Sequence, residues 1–125
     1  MSITSDQAFA AMYFLLGEYF KKCKQIDDLG ALLGTIDPFL WEEGTPIDPG
    51  TIYDWNNCVK KTSDKYTVNY LFSEEESYNI VIAYLKFYVT NYGFNFKDII
   101  FDLTNNTIWK EKWPQCIEKA LSTTN

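Results

Sequence analysis

The sequence predicts an all-α fold: one compact helical domain over residues 1–125, made of two related helical halves, 4–63 and 72–122. Three observations predict it. Apolar residues recur at three- and four-residue steps over long stretches. Each of the two longest stretches is opened by a capping box. The order of signals in the first half then returns in the second. A chain of 125 residues suits one domain, and an apolar share of 46% is enough for a core and argues against disorder. The aromatic share of 18% supplies either core filler or interface anchors.

The first helix opens at Thr4-Ser5-Asp6-Gln7, where Thr4 with Gln7 fits a capping box and Asp6 suits the positive end of the helix dipole. Phe9, Met12, Leu16, Phe20 and Cys23 form its apolar stripe, with Tyr13 and Tyr19 on the flanks and Lys21, Lys22 and Lys24 at its end. Gly17 weakens such a helix by up to about 1 kcal/mol relative to Ala, which predicts close approach of another helix there. Asp27-Asp28 can cap a short second helix through Leu29, Leu32 and Leu33 that stops at Gly34. A breaker-rich loop follows, with Asp37-Pro38, Gly44, Pro46 and Asp48-Pro49-Gly50. Asp48 then Pro49 is a cap followed by an N1 proline, and Ile52, Trp55 and Val59 give the third helix its apolar face before Lys60-Lys61.

Residues 62–70 read as a connector with a short extended piece at Tyr66-Val68-Tyr70. Ser73 with Glu76 is a second capping box, and Tyr78, Val81, Leu85, Tyr88 and Tyr92 follow as a stripe until Gly93. Phe96-Lys97-Asp98-Ile99 echoes Ile26-Asp27-Asp28-Leu29. The W-x-x-C at Trp113–Cys116 echoes that at Trp55–Cys58. Ile99 to Trp109 also fits a β-hairpin turning at Asn105-Asn106, but the repeat favours helices. Pro114 is then expected near the start of the last helix. The expected core is Phe9, Met12, Leu16, Leu29, Leu32, Ile52, Val81, Leu85 and Ile117.

The net charge is −6, and all eleven basic residues are Lys. Without Arg the chain lacks the bidentate group for phosphate and guanine, which together with the acidic balance argues against nucleic-acid binding. No His is present, so the commonest general base and metal ligand are missing. Asp98 and Asp102 share a helical face and, with Asp27-Asp28, could hold Mg²⁺, but a solvated face or a cap accounts for them as well. No phosphate loop, nucleophile elbow or Cys–His pair occurs. The expectation is therefore a non-enzyme with no cofactor and no bound metal. Cys23, Cys58 and Cys116 are too scattered for a zinc site or redox motif and read as buried free thiols in a reducing cytoplasm. No run approaches the length of a membrane helix, and the Tyr78–Tyr92 stripe, opened by three Glu, fits core packing rather than a lipid surface.

Charge is concentrated in one place. Between Lys24 and Lys60 no basic residue interrupts Asp27, Asp28, Asp37, Glu42, Glu43, Asp48 and Asp54. Trp41 and Trp55 stand among them. Capping and solubility explain part of this. A docking face for a basic, partly apolar protein explains the indoles as well, since charge speeds encounter and aromatics supply buried area. The expected partner-facing set is Asp28, Asp37, Trp41, Glu42, Glu43, Asp48, Asp54 and Trp55. An acidic helical adaptor or chaperone for another intracellular protein is the alternative.

Three segments carry a family resemblance: Asp27–Gly34 (DDLGALLG), Trp41–Pro49 (WEEGTPIDP) and Tyr53–Val59 (YDWNNCV). Following the opening helix, they resemble small bacterial immunity proteins of contact-dependent growth inhibition, the CdiI-like proteins. The resemblance covers residues 4–61; the second half lacks the acidic-Leu-Gly and Asp-Pro signatures. It implies a cytoplasmic inhibitor that binds one cognate toxin domain and blocks its active site or access to it. Many such toxins are nucleases and basic, a place where carboxylates can substitute for phosphate.

Overall fold

Two short hydrogen bonds tie the halves together where each begins. Ile3 donates its backbone N–H to the Phe72 carbonyl at 3.0 Å, and Phe72 donates to the Ile3 carbonyl at 2.7 Å. Each residue lies immediately before a capping residue, Thr4 or Ser73. The computed structural model describes residues 2–23, 25–42, 48–63 and 70–124. Among these there are six α-helices and no sheet: α1 (Ser5–Lys22), α2 (Asp27–Ile36), α3 (Pro49–Thr62), α4 (Glu74–Tyr92), α5 (Lys97–Asn105) and α6 (Thr107–Thr124), with a 3-10 turn at Pro38–Leu40. The fold is all-α, as expected. The segment open to a hairpin reading is α5 and the start of α6. The expected extended piece at residues 66–70 lies mostly outside the described residues, as does Glu43.

Both capping boxes form. Gln7 N–H donates to Thr4 Oγ1 at 3.1 Å while Thr4 N–H donates to Gln7 Oε1 at 2.9 Å. Ser73 and Glu76 repeat the exchange at 2.9 and 3.0 Å. Each box satisfies two donors that the first turn would otherwise leave unpaired.

The helices then pair crosswise. α1 packs chiefly against α6, and α4 against α3; α1 also contacts α2, as α4 contacts α5, and α1 meets α4 between them. Exchanging the halves maps α1–α6 onto α4–α3 and α1–α2 onto α4–α5, and leaves α1–α4 unchanged. The two W-x-x-C segments follow the same order. Trp55 Nε1 donates to Ser5 Oγ and Trp113 Nε1 donates to Ser77 Oγ, both at 3.0 Å and both buried. In each half the indole of the last helix thus bonds a serine in the opening turns of the first, removing the cost of burying an unpaired N–H.

Of the expected core, Phe9, Met12, Leu16, Leu29, Leu32, Val81, Leu85 and Ile117 are buried, while Ile52 is only half-buried and packs at the edge. Other expectations need correcting. α2 runs on to Ile36 instead of stopping at Gly34, and its cap position is Ile26, with no side-chain cap bond. Pro114 lies inside α6, because that helix already starts after Asn106, whose side chain accepts the Ile108 N–H at 3.2 Å. The proline removes one bond to the Lys110 carbonyl. Lys110 is exposed, and the buried phase Trp113, Cys116, Ile117, Ala120 carries the helix past it. Cys58 and Cys116 are buried free thiols, and burial pushes them up to about 11 and about 12. Cys23 is exposed at the end of α1.

No helix approaches Gly17 closely: a methyl group there meets nothing within 4 Å. With room for the side chain, only the helix-propensity penalty of glycine remains. Gly17→Ala should therefore stabilise the fold by up to about 1 kcal/mol. Chemical denaturation would show this as a higher midpoint at unchanged slope; a lower midpoint would mean the open space is needed.

Candidate binding surface

The acidic residues do not all gather at one place. Two of them do, at the start of α3. Asp48 is the N-cap, its Oδ1 accepting from Gly50 N–H at 2.9 Å and Thr51 N–H at 3.1 Å, and Pro49 supplies the preset φ of the first turn. Asp54 lies further along α3, half-buried, and its Oδ2 accepts the Tyr92 hydroxyl at 2.7 Å. That bond joins α3 to the end of α4.

There α4 is stopped by Gly93, whose φ of 69° is left-handed backbone that side chains rarely adopt. The reversal brings the Phe94 N–H to the Tyr88 carbonyl at 3.3 Å and its ring to 5.1 Å from that of Tyr88. Tyr88 and Tyr92 are 5.0 Å apart, and Tyr92 and Phe94 6.3 Å. Three rings thus form a triangle beside two carboxylates. Ala31, Leu32 and Thr35 of α2 close the other side, leaving a pocket of about 380 Å³ whose described lining includes no basic residue. The hydrogen bond to Asp54 pushes the Tyr92 hydroxyl up to about 12, so its proton stays on the oxygen at neutral pH.

Asp28 is the third acid on this side. Its Oδ2 accepts the Asn95 N–H at 2.7 Å, next in sequence to Phe94, and with Asp27 it borders an adjoining hollow. The expected cap of α2 is thus instead a tie to the α4–α5 loop.

The other expected residues go elsewhere. Asp37 accepts the Phe39 N–H at 2.9 Å and starts the 3-10 turn; with burial, its charge raises the Tyr13 hydroxyl. Trp41 is half-buried and stacked on Phe9, with centroids 6.1 Å apart and planes at 24°. Its Nε1 is buried with no hydrogen-bond partner among the described residues. Glu42 is exposed. Trp55 must be withdrawn from the partner-facing set. It is fully buried, 5.3 Å from both Phe9 and Tyr84, and its only polar atom bonds Ser5. An indole on the apolar face of α3 gains more from the core than from solvent.

In the sequence Tyr88 and Tyr92 read as part of an apolar stripe, and Phe94 has no assigned role. The available signal was Tyr92-Gly93-Phe94, aromatics on both sides of a helix-stopping glycine. What it could not supply was the opposing wall, 38 residues back in the chain at Asp54.

Among the described residues no group of three or more His, Cys, Asp or Glu could hold a metal ion. Of the Asp98–Asp102 pair, Asp102 accepts the Tyr19 hydroxyl at 2.5 Å, which ties α1 to α5. No described helix is long and apolar enough to cross a membrane. Comparison with protein-family models, with curated proteins and with solved structures finds no match for this chain.

Proposed function

We propose that the protein is an immunity protein: a cytoplasmic inhibitor that neutralises a basic toxin domain by contact, without turnover. The observation that carries this reading is the pocket at the start of α3, where Asp48 and Asp54 stand beside the exposed Tyr92, the half-buried Phe94 and the buried Tyr88, with no lysine in the described lining. Asp27 and Asp28 extend the negative field along the same side. A basic surface approaching it is drawn in by charge and held by apolar area. A nuclease is a suitable target, because carboxylates can take the place its substrate phosphates would occupy. The resemblance of residues 4–61 to CdiI-like proteins supports the same reading from a separate direction.

The test is co-expression with the product of the gene immediately upstream. Growth arrest by that product alone, lifted by this protein and accompanied by a stable one-to-one complex, is the expected result. Recovery of the tagged protein with an acidic or non-toxic client would instead establish the adaptor or chaperone reading.

A further inference from the structure

We propose that the pocket between α2, α3 and the end of α4 is a cage for one guanidinium group, seating a single arginine side chain of the partner. The proposal rests on the reading of the protein as a partner-binding inhibitor, which supplies the source of the arginine. The pocket chemistry is argued separately.

Four features point to a cation of this shape. First, the pocket's about 380 Å³ is room for one long side chain, and Ala31, Thr35 and Gly50 keep part of its wall low. Second, three rings lie within 6.3 Å of one another, and the π-electron face of such a ring attracts a cation placed over it. Tyr92 is 52% exposed, so its ring is open to an incoming group, whereas Tyr88 at 7% forms the floor.

Third, the carboxylates are held in place before any ligand arrives. Asp48 is fixed by two backbone N–H groups and Asp54 by the Tyr92 hydroxyl. A rigid pair loses little freedom on binding. Fourth, an anion is badly served here despite the helix N-terminus. The Gly50 and Thr51 N–H groups are already taken by Asp48, and the pocket lies at the negative end of the α4 dipole. Lys97 lies in a neighbouring hollow that shares Phe94 with this pocket, and is not in the described lining of the pocket itself.

Arginine suits this site better than lysine. Its flat guanidinium can stack on a ring and offer two parallel N–H donors to a carboxylate, whereas an ammonium is a strongly hydrated point charge.

The experiment titrates isotope-labelled protein with Nα-acetyl-argininamide, followed by NMR, with the lysine and citrulline analogues in parallel. Citrulline has nearly the shape of arginine without its charge. Saturable shifts centred on Asp54, Tyr92 and Phe94, stronger with arginine than with lysine and lost with citrulline, are expected. Asp54→Asn keeps the acceptor for Tyr92 and Tyr92→Leu alters an exposed ring. Each should weaken the arginine probe at least about fivefold with the rest of the spectrum unchanged. Equal response to citrulline, or shifts centred elsewhere, overturns the cage. If the probe misses this pocket while the upstream product is still bound and neutralised, the cage fails and the inhibitor reading stands. If the probe binds as expected but that product is not bound, the inhibitor reading fails and the cage stands.

Discussion

Trp55→Ala should destabilise the fold by about 3–5 kcal/mol, the range for removing a large aromatic from a packed core. The side chain is fully buried between Phe9 and Tyr84, so the vacancy cannot open to solvent without disturbing α1 and α4 together. Tyr84 adds to the cost, because its hydroxyl donates to the Thr51 carbonyl on the same helix and depends on α3 staying in register. Trp55→Phe separates the two contributions. It keeps most of the volume but leaves Ser5 Oγ without its donor, and should cost about 1–3 kcal/mol. Urea unfolding measures both. A loss below about 1 kcal/mol for the alanine variant would return Trp55 to the surface and restore it as a docking residue.

The second large effect concerns the partner. The double variant Asp48→Asn, Asp54→Asn should leave the fold nearly as stable, because asparagine caps a helix about as well as aspartate and can still accept from Tyr92. Association with a basic partner of the kind proposed should slow by about tenfold or more at low salt, with the gap to the parent protein closing as salt screens the charges. Stopped-flow mixing at several ionic strengths reads this directly. An on-rate that ignores both substitutions would place the contact elsewhere; the exposed Phe39 and Leu40 would be the next surface to examine. Removing Glu42 by charge reversal makes a useful comparison. Its side chain is exposed and lies outside the pocket lining, so a smaller change than that of the double variant is expected.

Most of the helical architecture was legible in the residues. Thr4 with Gln7, Asp48 with Pro49, Ser73 with Glu76, and Gly93 each mark a boundary through bonds that span six residues or fewer, and each does so in the structure. The misreadings have a common source. Gly34 reads as a stop and Pro114 as a start because both are poor in helix interiors, but packing of Ile36 in one case and of Trp113 and Ile117 in the other outweighs a local penalty of about 1–3 kcal/mol. The relation of the halves, read from repeated motifs, remains a proposal that the crosswise pairing of α1 with α6 and α4 with α3 supports.

The sequence by itself determined that this chain is helical, acidic between Asp27 and Asp54, and without histidine or arginine; these are properties of neighbours along the chain or of composition. Only the tertiary structure decided which acids share a surface. Trp55 and Asp54 are adjacent residues, yet one turns into the core and the other toward Tyr92. A helix rotates each successive residue by about 100°, so the angle at which α3 settles against α1 and α4 sorts adjacent side chains to opposite fates. That angle is set by packing between segments far apart in the chain, and no local pattern carries it.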